Sequence, residues 1–306
     1  MIRLPASIRV FERGWLSSNN VLLTDERHTV LVDTGYATHA RQTVALVRHA
    51  LGARPLDCII NTHLHSDHCG GNALLQRTWP CDTLIPSTEL DTVQQWDESR
   101  LTFHATGQCC ERFAATGTLA PGMHLELGAL DWQVLGAPGH DPHSLMLYCA
   151  DERVLISADA LWENGFGVIF PELDGASGFA EQQAVLELIA SLDVSLVIPG
   201  HGAPFANVQQ ALDRAFSRVA WLRADPRRNA KNALKVLFVF RLLDVRTTHF
   251  DALTGMLDNA SAMRAAAALL APRDAWPALV RQIVGELAGD GGALRVDGEC
   301  VAARLP

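Results

Sequence analysis

Three histidines and one aspartate fall within six residues, His63-Leu64-His65-Ser66-Asp67-His68. Buried neutral imidazoles and a carboxylate are costly to desolvate without partners, so core packing gives no reason for such a cluster. A divalent cation does, because imidazole nitrogen and carboxylate oxygen are the donors that borderline ions such as zinc take. His63 and His65 are two apart and can point to one side of an extended loop, chelating one ion. Asp67 and His68 then turn away and suit a second. Completing two such sites needs more donors, and three stand in suitable places. His140 lies in Pro138-Gly139-His140-Asp141-Pro142, Asp159 in Ser157-Ala158-Asp159-Ala160, and His201 in Pro199-Gly200-His201-Gly202. Each has small or turn-forming neighbours that leave room for a metal.

The elements that must position these residues follow from hydrophobic patterning. Short β-rich runs at 20–24 and 29–32 flank Asp25-Glu26-Arg27, a hairpin signal, and end on Asp33-Thr34-Gly35. Residues 39–51 carry apolar side chains at helical spacing, with Gly52 as the stop. A buried strand at 56–61 feeds the histidine loop directly, and a helix is predicted at 72–79. The stretch 83–121 is less regular, holds Trp96, Phe103, His104 and Phe113, and suits a cover over an active site. Strands are predicted at 125–127, 131–135, 144–149 and 154–157, a helix at 179–192, and a strand at 196–199 that delivers His201. Beyond 228 the pattern turns helical, at 229–243, 248–257, 260–270 and 276–288. A final strand pair at 292–296 and 299–305 brackets Asp297-Gly298, a hairpin turn signal.

The chain has 306 residues, 48% of them hydrophobic and 19% charged, which allows a sizeable core and argues against disorder. From Ala220 onward there are 12 Lys and Arg against 9 Asp and Glu; the rest carries 13 against 25. This asymmetry divides the chain into an acidic region, 1–219, and a mildly basic region, 220–306. With a net charge of −9, nucleic acid is not the expected partner of the whole chain. No apolar run is long enough to span a membrane. The opening Met1-Ile2-Arg3-Leu4-Pro5 lacks the apolar core of a secretory signal. Together with seven unpatterned cysteines, this points to a cytoplasmic location with reduced thiols. Cys109-Cys110 reads as two small apolar residues on a buried segment, and Cys69 as a packing residue.

Taken in order, His63-x-His65-x-Asp67-His68, His140, Asp159 and His201, preceded by Asp33-Thr34-Gly35, resemble the metallo-β-lactamase superfamily over roughly residues 8–205. The resemblance implies an α/β fold, an αββα sandwich, here followed by a smaller, mainly helical C-terminal domain that looks winged-helix-like. It implies two divalent ions, with His63, His65 and His140 on the first and Asp67, His68 and His201 on the second. Asp159 would bridge them, and Asp33 would orient the histidine loop. Zinc is the expected metal, while iron and manganese also suit these donors. The implied chemistry is hydrolysis by a metal-bridging hydroxide, with Asp67 also handling the proton.

The chain looks closest to glyoxalase II-like and related small hydrolases, so a small-molecule thioester, ester or lactone is the expected substrate. Trp162, Phe166, Phe103 and His143 are the candidate substrate contacts. The segment His140-Asp141-Pro142-His143-Ser144 departs from the longer Gly-containing turn that the family often has there. A mononuclear iron persulfide dioxygenase is an alternative reading. So is a phosphodiesterase or nuclease, or a DNA-binding role for the C-terminal region. For that region, covering the active-site rim or mediating a homodimer contact is preferred to binding DNA.

Overall fold

The computed structural model describes residues 3–304. The first sheet has the order β1 (Ile8–Phe11), β2 (Asn20–Thr24), β3 (Thr29–Val32), β4 (Cys58–Ile60), β5 (Asp82–Pro86), β6 (Gly117–Leu119). Its first three strands form an antiparallel meander, and β3 through β6 run parallel. The parallel steps β3 to β4 and β4 to β5 cross over through α1 (Ala40–Leu51), α2 (Ser66–Cys69) and α3 (Asn72–Thr78). Between β5 and β6 the predicted insert folds into α4 (Leu90–Gln95) and α5 (Thr102–Thr106). The second sheet holds β7 (His124–Leu127), β8 (Leu130–Gly136), β9 (Leu145–Cys149), β10 (Val154–Ala158) and β11 (Leu196–Pro199). All its pairings are antiparallel except β10 with β11, which α6 (Phe179–Ser191) connects.

Side-chain alternation explains why the sheets stack with helices outside. In β2 to β4 one set, Val21, Leu23, Val30, Val32 and Ile60, faces the other sheet. The intervening Leu22, Leu31 and Ile59 face Val47 and Leu51 of α1 and Leu75 of α3. In the second sheet Leu145, Leu147, Val154, Ile156 and Ile198 point inward around Trp132. Met146, Leu155 and Val197 point outward under α6 and α7 (Val208–Ala224). Strands buried on both faces read as continuous apolar runs, as Val154-Leu155-Ile156 and Leu196-Val197-Ile198 do. The result is the expected αββα sandwich.

The C-terminal part comprises α8 (Arg227–Val245), β12 (Thr247–His249), α9 (Phe250–Asn259), α10 (Ser261–Leu270), α11 (Trp276–Ala288), β13 (Leu294–Asp297) and β14 (Cys300–Ala303). The three strands form a small antiparallel sheet in the order β12-β14-β13. The predicted hairpin turns at Gly298, whose φ of 57° suits the turn. Its expected second strand, 299–305, ends on Leu305, which lies outside the described residues, as do Met1 and Ile2. The division at 219/220 falls inside α7, whose buried face through Leu222 packs on the second sheet. The C-terminal core gathers Ala230, Leu234, Leu237, Phe238, Leu253, Met263, Val280 and Ile283, and takes in Val168 and Leu173 from the sandwich part.

Helix α8 also ties the two parts together. Asn229 donates from Nδ2 to the carbonyl of Ile169 (2.7 Å) and accepts from its N–H (3.3 Å). Farther along the same helix, Phe240 packs with Leu16 and Tyr36. Among the described residues, no helix is long and apolar enough to cross a membrane. Cys69 is fully buried as expected, whereas Cys109 is exposed and Cys110 half-buried, because their segment runs along the surface between α5 and β6.

Candidate metal centre

The predicted donors come from loops at strand ends. His63 and His65 follow β4, and Asp67 and His68 lie in the single turn of α2. His140 follows β8, Asp159 follows β10, and His201 follows β11. Two strand ends at the site, those of β3 and β10, carry strained backbone. Asp33 and Ala158 adopt left-handed φ values of 58° and 47°, uncommon for residues with a Cβ and concentrated at functional sites. At Ala158 the register of β10 against β11 shifts, and the next residue is Asp159. Gly200 is required beside it, since a Cβ there would lie 2.2 Å from Asp159 Oδ1. Gly167 has the same role for His140, where a Cβ would lie 2.4 Å from the ring.

Seven side chains form two buried groups, His63, His65 and His140 in one and Asp67, His68, Asp159 and His201 in the other. In the first, His65 Nδ1 is 3.1 Å from His63 Nε2 and 2.7 Å from His140 Nε2. In the second, Asp67 Oδ2 is 3.0 Å from His201 Nε2 and 3.7 Å from His68 Nε2. Asp159 faces both: Oδ1 is 3.5 Å from His68 Nε2 and 3.9 Å from His201 Nε2, and Oδ2 is 3.3 Å from His140 Nε2. Ligand atoms about 2.0–2.1 Å from a tetrahedral ion are about 3.3 Å apart, close to these separations. His68 Nε2 is fully buried with no hydrogen-bond partner, an orphan that an ion would satisfy. The donor set and spacing therefore fit two divalent ions.

The outward-facing ring nitrogens of His65, His68 and His140 each face an acceptor, whereas Nδ1 of His201 is buried without a hydrogen-bond partner. His68 Nδ1 lies 2.8 Å from Asp33 Oδ2, and Asp33 also accepts from Thr62 N (2.9 Å) and Thr62 Oγ1 (2.8 Å). Asp33 thus orients the histidine loop, as read from the sequence. His140 Nδ1 donates to the carbonyl of Val168. His65 Nε2 is 3.4 Å from Asp141, a buried carboxylate that sequence reading passed over although it adjoins His140. The loop before β2 clamps the other side. Ser18 N–H bonds the Asp67 carbonyl (2.9 Å), and Asn19 Nδ2 bonds the carbonyls of Pro199 (3.0 Å) and Gly202 (2.6 Å).

Electrostatics divides the groups. Burial, with the neighbouring imidazoles, holds His63 well below the usual histidine range. Burial also lowers His65 and His140 to about 4. All three are neutral at physiological pH, with lone pairs free for a metal. Burial opposes charge on His68 as well, but Asp159, Asp33 and Asp67 outweigh it and raise its pKa. Burial disfavours ionised Asp67, yet His68 and His201 overcome this and keep its pKa low.

A cleft of about 460 Å³ opens above these atoms. Trp162 and Phe166 line it, and Phe166 also packs into the core of the second sheet. Trp162 Nε1 donates to Asp159 Oδ1 (3.2 Å). Two other predicted contacts are corrected. Phe103 does not line the cleft: it points into a core with Trp96 and Phe113, and Thr102 and Thr106 present the open face of α5. His143 pairs with Glu89 (2.9 Å) outside the cleft. Sequence reading missed Trp15, which is 54% exposed yet stacks on His201 at 5.4 Å. It also missed Asn232, Val236, Leu237 and Phe240, through which α8 supplies one wall. An apolar stripe on a helix does not reveal which of its residues face a cavity.

This chain is similar to several known proteins. A hydroxyacylglutathione hydrolase of Idiomarina loihiensis is 28% identical over 191 residues, 61% of this chain. The match spans 62% of that relative's length. A metallo-beta-lactamase family protein of Thermus thermophilus superposes with a TM-score of 0.60 over 99% of this chain and 100% of its own, at 20% identity. Its likeness of fold thus extends through the C-terminal helices. TTHA1623, solved in a di-iron-bound form, shares 25% identity and a TM-score of 0.54, over 68% of this chain and 98% of its own. The family model for the metallo-beta-lactamase superfamily matches residues 13–201, a span that contains every donor of both groups. With that match over more than half its length, this chain belongs to the metallo-beta-lactamase superfamily.

Proposed function

We propose that this chain is a binuclear metal-dependent hydrolase of a small thioester, or of an ester or lactone of similar shape. The carrying observation is the pair of donor groups joined through the two oxygens of Asp159 on the floor of one cleft. His63, His65 and His140 would hold one ion, Asp67, His68 and His201 the other, with Asp159 shared. When bound, two such ions bring the pKa of a water near about 7 and polarise a substrate carbonyl. The chain supplies the rest. Asp67, kept ionised by His68 and His201, is placed to accept a proton from attacking water and return it to the departing thiolate. Trp15 and Trp162 flank His201 and exclude bulk water from that side. Phe166, Phe170 and the α8 residues offer apolar surface to an acyl or thiol carrier.

The thioester reading draws on the named activity of the hydroxyacylglutathione hydrolase relative. Iron stays beside zinc as a candidate metal because TTHA1623 was solved in a di-iron-bound form. The test strips the full chain with chelator and reloads it with zinc, manganese or iron. Each form is then assayed on a hydroxyacylglutathione thioester, an acyl lactone and a phosphodiester. Thioester or lactone hydrolysis that returns only with metal supports the reading. Undiminished activity of the stripped protein, or turnover of the phosphodiester alone, overturns it.

A further inference from the structure

Arg218, on α7, lines the catalytic cleft and has no hydrogen-bond or ion-pair partner among the described residues; its Nε is fully buried and unsatisfied. Lack of acids does not explain this, because the chain carries 34 Asp and Glu against 25 Lys and Arg. Elsewhere Arg77, Arg153, Arg273 and Arg281 all bind carboxylates. Glu163 lines the same cleft without pairing with Arg218.

The guanidinium is held in place. It lies 5.7 Å from the Phe166 ring centroid, a cation–π distance. Gly165, at φ 126°, gives its stem room, since a Cβ there would be 3.0 Å from Arg218 Cδ. Burial lowers its pKa from the usual arginine value, the mark of a charge desolvated without compensation. An uncompensated, partly buried cation is costly, and one fixed in a cleft beside catalytic groups is a functional-site candidate. Arg13, on the same cleft, bonds only neutral oxygens of Asn20, Thr43 and Gln42. It therefore adds positive potential without neutralising an acid. The same cleft has apolar lining from Phe170, Val236, Leu237 and Phe240.

From this we infer that Arg218 is a specificity residue that binds a carboxylate carried by the substrate, distinct from the acyl carbonyl that is cleaved. The preferred substrate is then a thioester or ester with an apolar stretch between the scissile bond and a free carboxylate. The inference rests on the hydrolase reading above, so its test includes a binding measurement that needs no turnover.

The kinetic test uses the zinc-loaded full chain and two S-phenyl thioesters of glutaric acid, one with the distal carboxylate free and one with it as the methyl ester. A charged hydrogen bond corresponds to about tenfold or more in kcat/KM in favour of the free acid. Arg218→Met should shrink that preference to about threefold or less. Arg218→Gln gives the same reading if Arg218→Met does not fold. No preference in the wild type, or one that survives in either variant, overturns the inference. The binding test is calorimetric titration of the same proteins with 4-phenylbutyrate and 4-phenylbutanamide. Loss of Arg218 should weaken the acid about fivefold or more relative to the amide, and equal affinities overturn the inference. If no thioester is hydrolysed but the calorimetric difference holds, the hydrolase reading fails while the carboxylate site stands.

Discussion

The floor of the cleft and its walls are built in different ways. On the floor, seven side chains from four segments converge, all of them buried. His68 is pinned by Asp33 and His140 by Val168. The walls gather groups of mixed burial, from exposed Trp15 to buried Phe166 and Phe240, out of segments distant in sequence: Trp15 before the first long strand, Trp162 and Phe166 after β10, Arg218 on α7 and Phe240 on α8. Few of these are tied by hydrogen bonds. The floor is preorganised for one chemistry, which electrostatic catalysis demands. The walls can change with little cost to the sandwich, which is how one fold serves many substrates.

That contrast predicts graded effects. Loss of a floor donor should be the most damaging. Loss of groups that merely support metal ligands costs about 10–100-fold, so His65→Ala should lower kcat/KM by about 100-fold or more, with reduced metal content by mass spectrometry. Asp33→Ala, which frees the His68 ring, should fall within that about 10–100-fold range in metal affinity or activity. A loss no larger than twofold would mean that the clamp is dispensable.

A wall residue should behave differently. Phe240→Ala should raise KM by about tenfold with kcat little changed, the signature of lost uniform binding. A fall in kcat instead would place α8 in the chemistry.

The smallest effect lies far from the cleft. Lys231 and Lys235 hold the Glu286 carboxyl at about 2, below its ordinary 4.5. A carboxyl whose folded pKa is depressed stabilises fully above its unfolded pKa and loses that contribution as pH falls through the folded one. The pairs are one-third exposed, which limits them to about 0.5–1 kcal/mol. Glu286→Gln should therefore cost about that much stability at neutral pH by urea unfolding. The difference from wild type should vanish between pH 4.5 and 2, with activity at neutral pH unaffected.

The floor was legible in the sequence because metal chemistry demands unusual residue types at short spacing, each at the end of an apolar strand run. Strands such as Leu196–Pro199 announced themselves by composition, and the loop residue that follows was then the candidate. The walls were not legible. Phe103 and Phe166 look alike in sequence, yet one turns into a local core and the other into the cleft. Helix α7 went unread because its region coincides with the change in charge balance, although Ala211, Leu212, Ala215, Val219 and Leu222 repeat at helical spacing. The strands β1, β5 and β6 were missed because three to five residues carry little periodic signal. Arg218 lacked any signal at all, since an unpaired cation is recognisable only once its neighbours are known.

The most direct test is to measure metal stoichiometry and thioester hydrolysis together in the wild-type chain and in Asp159→Asn. Two ions per chain in the wild type, with the variant losing at least one ion and about 100-fold or more in kcat/KM, is the expected result. A single ion in the fully active wild type, or an Asp159→Asn variant that keeps both metal content and rate, would contradict a binuclear hydrolase built around that carboxylate.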